Sequence, residues 1–126
     1  MSRQSVHFLT ANPERFQSVV GALRAGGSEV VCSPNTPESY SLLQDQWPDV
    51  VVFEDGRNAK LIDELCQALK SSPATEDAAV IILTDDLQYE DTYFHTGAHD
   101  VLPRDVEDRR LVSRIHAQLR IKGRID

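Results

Sequence analysis

Apolar runs alternate with amphipathic stretches five times along the chain. Val50-Val51-Val52-Phe53 and Val80-Ile81-Ile82-Leu83 are apolar at every position, the pattern of strands covered on both faces. With their flanks they predict strands at Asp49–Glu54 and Ala79–Leu83, and shorter runs predict three more at Val6–Leu9, Glu29–Cys32 and His99–Leu102. Between them the spacing predicts helices at Pro13–Ala25, Pro37–Gln46, Ala59–Ser71, Asp86–Thr96 and Glu107–Lys122. Local signals agree with these limits. Asn12-Pro13 offers a cap and a proline at the first helical position, Gly26-Gly27 follows the first helix, and Gly97 follows the fourth. In the last helix Leu111, Val112, Ile115 and Leu119 form one apolar stripe, with Arg109, Arg110, Arg114 and Arg120 off it.

A strand–helix order repeated five times, with right-handed crossovers, gives an α/β fold: a doubly wound, five-stranded parallel sheet with helices on both faces. The expected strand order is 2-1-3-4-5, the flavodoxin-like arrangement. The 126 residues, of which 40% are apolar and 26% charged, suit one domain over 1–126 with a core of its own. No run approaches the ~20 apolar residues of a membrane span, and no signal-peptide segment opens the chain, so the expectation is a cytoplasmic protein without membrane contact. Cys32 and Cys66 lack CxxC spacing and read as buried, reduced thiols.

Charge changes the picture more than composition does. The net charge is −7, but residues 1–108 carry nineteen acids and seven bases while residues 109–126 carry six bases and one acid. An acidic body ending in a basic helix argues against direct nucleic-acid binding, which needs a basic surface to displace counterions.

In a sheet of this kind, sites lie beyond the carboxyl ends of the strands. The residues there are Thr10-Ala11-Asn12, Glu54-Asp55-Gly56, Thr84-Asp85-Asp86 and Pro103-Arg104-Asp105. Several segments in order now resemble the receiver domains of bacterial two-component response regulators. Pro48-Asp49-Val50-Val51-Val52-Phe53-Glu54 resembles the third strand that ends in the phospho-acceptor Asp. Residues 72–84, from Ser72-Pro73 to Ile82-Leu83-Thr84, resemble the connection into a fourth strand that ends in a hydroxyl residue. Gly97-Ala98-His99-Asp100-Val101-Leu102-Pro103-Arg104 resembles the family's Gly-Ala-Asp-Asp-Tyr-Leu-x-Lys segment, with Leu111-Val112-Ser113-Arg114-Ile115 following at the family's spacing.

The resemblance implies a Mg²⁺-assisted phosphoryl switch, and the residues depart from it. Where the family has two acids after the first strand, this chain has Thr10 and Ala11, leaving too few carboxylates for a hard dication. Glu54 stands at the acceptor position, Arg104 at that of the lysine, Asp105 at that of the following cis proline, and Val101 at that of the aromatic switch; Thr84 is as the family has it. With Asp105 in place of proline the bond after Arg104 is expected to be trans. The expected function is a non-catalytic pseudo-receiver, without metal or cofactor, acting as a protein-interaction or dimerisation module of a signalling protein. Its partners would be other proteins, its own output domain or a second copy. The tail Arg120–Asp126 resembles a linker to an output domain, particularly in receivers attached to diguanylate-cyclase-like outputs, so the chain reads as part of a longer regulator.

Two rival readings accompany this one. A one-residue slip would make Asp55 the acceptor, although alternation along the strand turns its side chain away from the mouth. The Thr10-Ala11-Asn12-Pro13 turn could attract an anion at a helix start, but an FMN site would want a longer hydroxyl- and glycine-rich loop and aromatic flanks. Glu54 and Arg104 are expected to pair, with Thr84 a further donor to Glu54: either a fixed mimic of the activated state or an ordinary strand-end salt bridge. His7, His95, His99 and His116 lie in different elements and read as surface or half-buried residues, and Trp47 reads as packing. On the fourth helix, fifth strand and fifth helix, Glu90, Asp91 and Asp100 oppose Arg109 and Arg114, a set that suits a two-fold dimer or pairing within one chain.

Overall fold

The computed structural model describes residues 4–56 and 59–123. Five parallel strands, β1 (Ser5–Leu9), β2 (Glu29–Ser33), β3 (Val50–Glu54), β4 (Ala79–Thr84) and β5 (Asp100–Pro103), form one sheet in the order β2-β1-β3-β4-β5. Helices α1 (Gln17–Ala25), α2 (Tyr40–Gln46), α3 (Ala59–Lys70), α4 (Glu90–Thr96) and α5 (Asp108–Gly123) connect and follow them. The expected class, strand order and helix placement are all present, with limits shifted by a residue or so at the strand ends. Single 3-10 turns, Pro13–Phe16, Pro37–Ser39 and Leu87–Tyr89, open the stretches that lead into α1, α2 and α4.

Two apolar layers hold the sheet. On one face Val6, Phe8, Val50, Val52, Ile81, Leu83 and Leu102 pack against α1, the turn before it and α5 through Phe16, Val19, Leu23, Leu111, Ile115 and Leu119. The other face sends Leu9, Val51, Phe53, Val80, Ile82 and Val101 against α2, α3 and α4 through Leu43, Ile62, Leu65 and Tyr93. Each fully buried large side chain contributes about 1.5–3 kcal/mol, so these layers, and not the polar groups at the strand ends, carry the stability of the fold. Alternation therefore assigns the even positions of β1, β3 and β5 to the α1–α5 face and the odd positions to the α2–α4 face.

Three expectations are corrected. Cys32 is exposed while Cys66 is buried, because β2 is an edge strand on which only Val30 is buried. Trp47 is 64% exposed and does not pack into the core. It caps α2 in the left-handed conformation, with φ 49°, turning the chain sharply where Pro48 disfavours a further helical residue. His7 is fully buried, not half-exposed, because β1 lies between β2 and β3 with both faces covered. His95 and His99 are exposed and His116 half-buried; the Val80 N–H donates to His99 Nδ1. Among the described residues no helix is long and apolar enough to cross a membrane. The tail residues Arg124, Ile125 and Asp126 lie outside the described residues.

Candidate functional site at the carboxyl end of the sheet

The register brings four strand ends to one rim. Leu9 pairs with Phe53, Glu54 with Leu83 and Thr84 with Pro103. The residues just beyond then separate by face. Thr10, Glu54 and Arg104 continue the α1–α5 side, where the Thr10 hydroxyl donates to Glu54 Oε1 and Arg104 Nε donates to Glu54 Oε2 at 3.1 Å. Arg104 Nη1 also reaches Asp85 Oδ2 at 3.2 Å, and these two carboxylates, Asp85 foremost, push the guanidinium above its usual value. The Arg104 side chain is 49% exposed whereas that of Glu54 is 6% exposed, so the acid is enclosed and the base closes it off from solvent. Asn12, Arg15, Pro103 and Asp105 complete a cleft of about 380 Å³ above them. Arg15 is committed to its own pair, Asp108, at 2.7 Å.

Asp55 lies on the opposite side. Its carboxylate is buried, and its Oδ2 accepts from Thr84 Oγ1 at 2.6 Å and from the Tyr93 hydroxyl at 2.7 Å. Thr84 thus bonds Asp55 and not Glu54, correcting the expectation that it serves Glu54. The reason is the pleat: Val80, Ile82 and Thr84 face α2–α4, as do Val51, Phe53 and Asp55. Asp55, Thr84, Asp85, Asp86 and Tyr89 line a second cleft of about 400 Å³, and Thr84 borders both clefts. The slip argument is upheld in that the two acids face apart. Yet the sequence reading missed Tyr93, whose phenol is pushed up by burial and then by its bond to Asp55. The only signal was the pair Tyr93-Phe94 in an otherwise polar α4, and an aromatic side chain does not announce its partner.

The remaining expected residues fall into place as follows. Val101 is buried within the second apolar layer, and Ala11 is exposed. The peptide bond after Arg104 is trans. Asp100 and Arg114 meet within the one chain, Arg114 Nη1 to Asp100 Oδ2 at 2.9 Å, so this pair is closed without a second copy. Glu90, Asp91 and Arg109 are exposed. Thr10, Ala11, Pro13, Cys32, Ser33 and Pro34 line a cleft of about 200 Å³ at the β1 end. With no aromatic lining, it lacks the flanks an isoalloxazine ring needs. Among the described residues no three of His, Cys, Asp and Glu group as ligands for a metal. Thr10 and Ala11 bring no carboxylate, and Glu54 and Asp55 diverge, so the site does not fit Mg²⁺.

No family model matches the chain. It is 27% identical over 109 residues to the phosphate regulon transcriptional regulatory protein PhoB of Pseudomonas aeruginosa, a match covering 85% of this chain and 48% of that protein. The chain thus spans about half the length of the curated relative it matches. Among solved structures it superposes on a response regulator from Thermotoga maritima with TM-score 0.79 at 18% identity, covering 93% of this chain and 98% of the other. It also superposes on the receiver domain of a Pseudomonas aeruginosa sensor histidine kinase, solved with a magnesium ion in its active-site cleft. There the TM-score is 0.68 at 17% identity, over 90% of this chain and 97% of that one. The fold is the receiver fold, and the sequence likeness supports a receiver domain of the response-regulator type.

Proposed function

We propose that this chain is a pseudo-receiver: a non-catalytic, unphosphorylated domain of a cytoplasmic bacterial signalling protein that works by binding other proteins. The observation that carries the reading is that both oxygens of Glu54, at the acceptor position, already hold partners, Thr10 on one and Arg104 on the other. Phosphoryl transfer in an active receiver needs a carboxylate oxygen free to attack the donor's phosphorus and further carboxylates for the dication that neutralises the phosphoryl oxygens. Here a hydroxyl stands in the first-strand position and a fixed cation covers the acid. Glu54 with Arg104 makes a standing charge pair in place of a switched one.

The binding surface in this reading is the face of α4, β5 and α5. The Asp100–Arg114 bridge joins β5 to α5 there, and exposed Leu87, Tyr89 and Phe94 supply apolar contact area beside Glu90 and Asp91. A two-fold contact would set Glu90 and Asp91 against Arg109 of a second copy. An output domain joined after α5 would be the other occupant. Sedimentation at rising concentration in low salt should show dimers that Arg109→Glu weakens; a strict monomer removes the dimer.

Calorimetry with Mg²⁺ and intact mass after acetyl phosphate treatment test the whole reading. No binding tighter than millimolar and no added phosphoryl mass are expected. One observation favours a second reading, a receiver phosphorylated on Asp55: the Thr84 hydroxyl, kept as in the family, bonds that residue. A phosphoryl gain that disappears in Asp55→Asn would establish it and end the pseudo-receiver.

A further inference from the structure

The segment carrying α4 is linked to one oxygen atom twice, directly from within the helix and through Thr84 from its entry. Asp55 Oδ2 accepts from Tyr93, near the middle of α4, at 2.7 Å and from Thr84 at 2.6 Å. Thr84 Oγ1 in turn accepts the N–H of Asp86, at the entry to the segment, at 3.0 Å. Between these ties, Asp86 caps the opening turn through Gln88 N–H at 3.1 Å, and Tyr89 stacks on Tyr93 with ring centroids 5.9 Å apart. Helix α4 has only seven residues, and Tyr93 alone among them is buried. A helix of two turns does not hold itself together in water. Its docking therefore rests on one side chain, and that side chain ends on a buried carboxylate.

We propose that Asp55 is a latch: its carboxylate, through Tyr93 and Thr84, holds the segment Asp86–Thr96 against the sheet, and loss of that charge releases the segment as a unit. The released unit carries Leu87, Tyr89 and Phe94, each at least 40% exposed already, so the latch sets the shape of an apolar surface. Tyr93 acts here as a positioning residue. Hydrogen bonds to a charged acceptor are roughly twice as strong as neutral ones, which distinguishes this tie from that of Tyr40, whose hydroxyl donates to the neutral carbonyl of Leu61 at 3.2 Å. The inference is independent of whether the domain is phosphorylated.

Amide hydrogen exchange on the whole chain tests it, because local opening is read segment by segment. Tyr93→Phe removes one hydroxyl and Asp55→Asn removes the charge. Each should speed exchange over residues 87–96 roughly tenfold while α1 and β3 stay protected. Combining them should go no further than the larger single effect, since both break the same tie. Tyr40→Phe, the control, should leave 87–96 unchanged. Unchanged exchange in either single variant, additive effects in the double, or an increase shared equally by α1 overturns the latch. Should Asp55→Asn fail to fold, Tyr93→Phe against Tyr40→Phe still decides. Magnesium and acetyl phosphate play no part in this readout, so its failure is separate from failure of the pseudo-receiver reading.

Discussion

The two faces of the sheet treat their polar groups in opposite ways. On the α1–α5 side, Glu54 meets a full positive charge at the edge of an open cleft, and Arg104 is half in solvent. On the α2–α4 side, Asp55 accepts from the buried hydroxyls of Thr84 and Tyr93, and His7 sits deeper with Nε2 on Ser33 Oγ at 2.9 Å and a buried Nδ1 that has no hydrogen-bond partner. In the first arrangement the acid is enclosed but its partner is not, so water screens the pair from the Arg104 side and lowers its worth. In the second the partners Thr84 and Tyr93 are buried as well, so each bond lost leaves a buried polar group unsatisfied. Adjacent residues of one strand thus differ in energetic weight because the pleat sends them to different environments.

The largest effect is expected from Asp55→Ala, which strands the hydroxyls of Thr84 and Tyr93. At about 1–3 kcal/mol for each buried donor left unpaired, the loss should be about 3 kcal/mol in urea unfolding. A loss below ~1 kcal/mol would erase the contrast between the faces.

His7 sharpens the same contrast through pH. Burial lowers its pKa from 6.5 to about 4, so the unfolded chain takes up a proton before the folded one does. The stabilisation is complete above pH 6.5 and falls as the pH drops toward 4, by up to about 3 kcal/mol. His7→Val should flatten that part of the profile relative to the wild type. Identical profiles would show that the ring is not excluded from water.

On the other face, Glu54→Gln should change stability by about 1 kcal/mol or less, since the amide keeps the shape and can still hydrogen-bond, and Arg104, half in solvent, keeps Asp85. A loss comparable to that of Asp55→Ala would show that the Arg104–Glu54 pair is not screened. The smallest change is expected from Arg114→Glu, which opens the half-exposed bridge to Asp100. Its unfolding midpoint should stay within measurement error of the wild type or fall by a few tenths of a kcal/mol.

Much of this molecule is legible in its sequence. Continuous apolar runs at 50–53 and 80–83, and an apolar stripe in α5, fixed strands, helices and their order, since one apolar pattern leaves few ways to bury itself. The divergence of Glu54 and Asp55 followed from the period of two alone. Applying that period to Thr84 as well would have set it beside Asp55. Cys32 and Trp47 are different: the expected order already makes β2 an edge, but how far its side chains are covered depends on what packs beside it, and the exposure of Trp47 on how α2 ends, neither of which is local.

By itself the sequence determined the five-stranded architecture, the loss of the carboxylates a metal would need, and the charge split between the body and α5, because these depend on residue type and periodicity. The tertiary structure decided who pairs with whom. Asp100 closes on Arg114 within the chain, Arg104 divides itself between Glu54 and Asp85, and Tyr93 reaches from α4 to Asp55 across 38 positions of sequence. Such pairings arise only where separate elements are pressed together by burial of their apolar faces, and no local pattern encodes the distance between two side chains that the fold has yet to bring near.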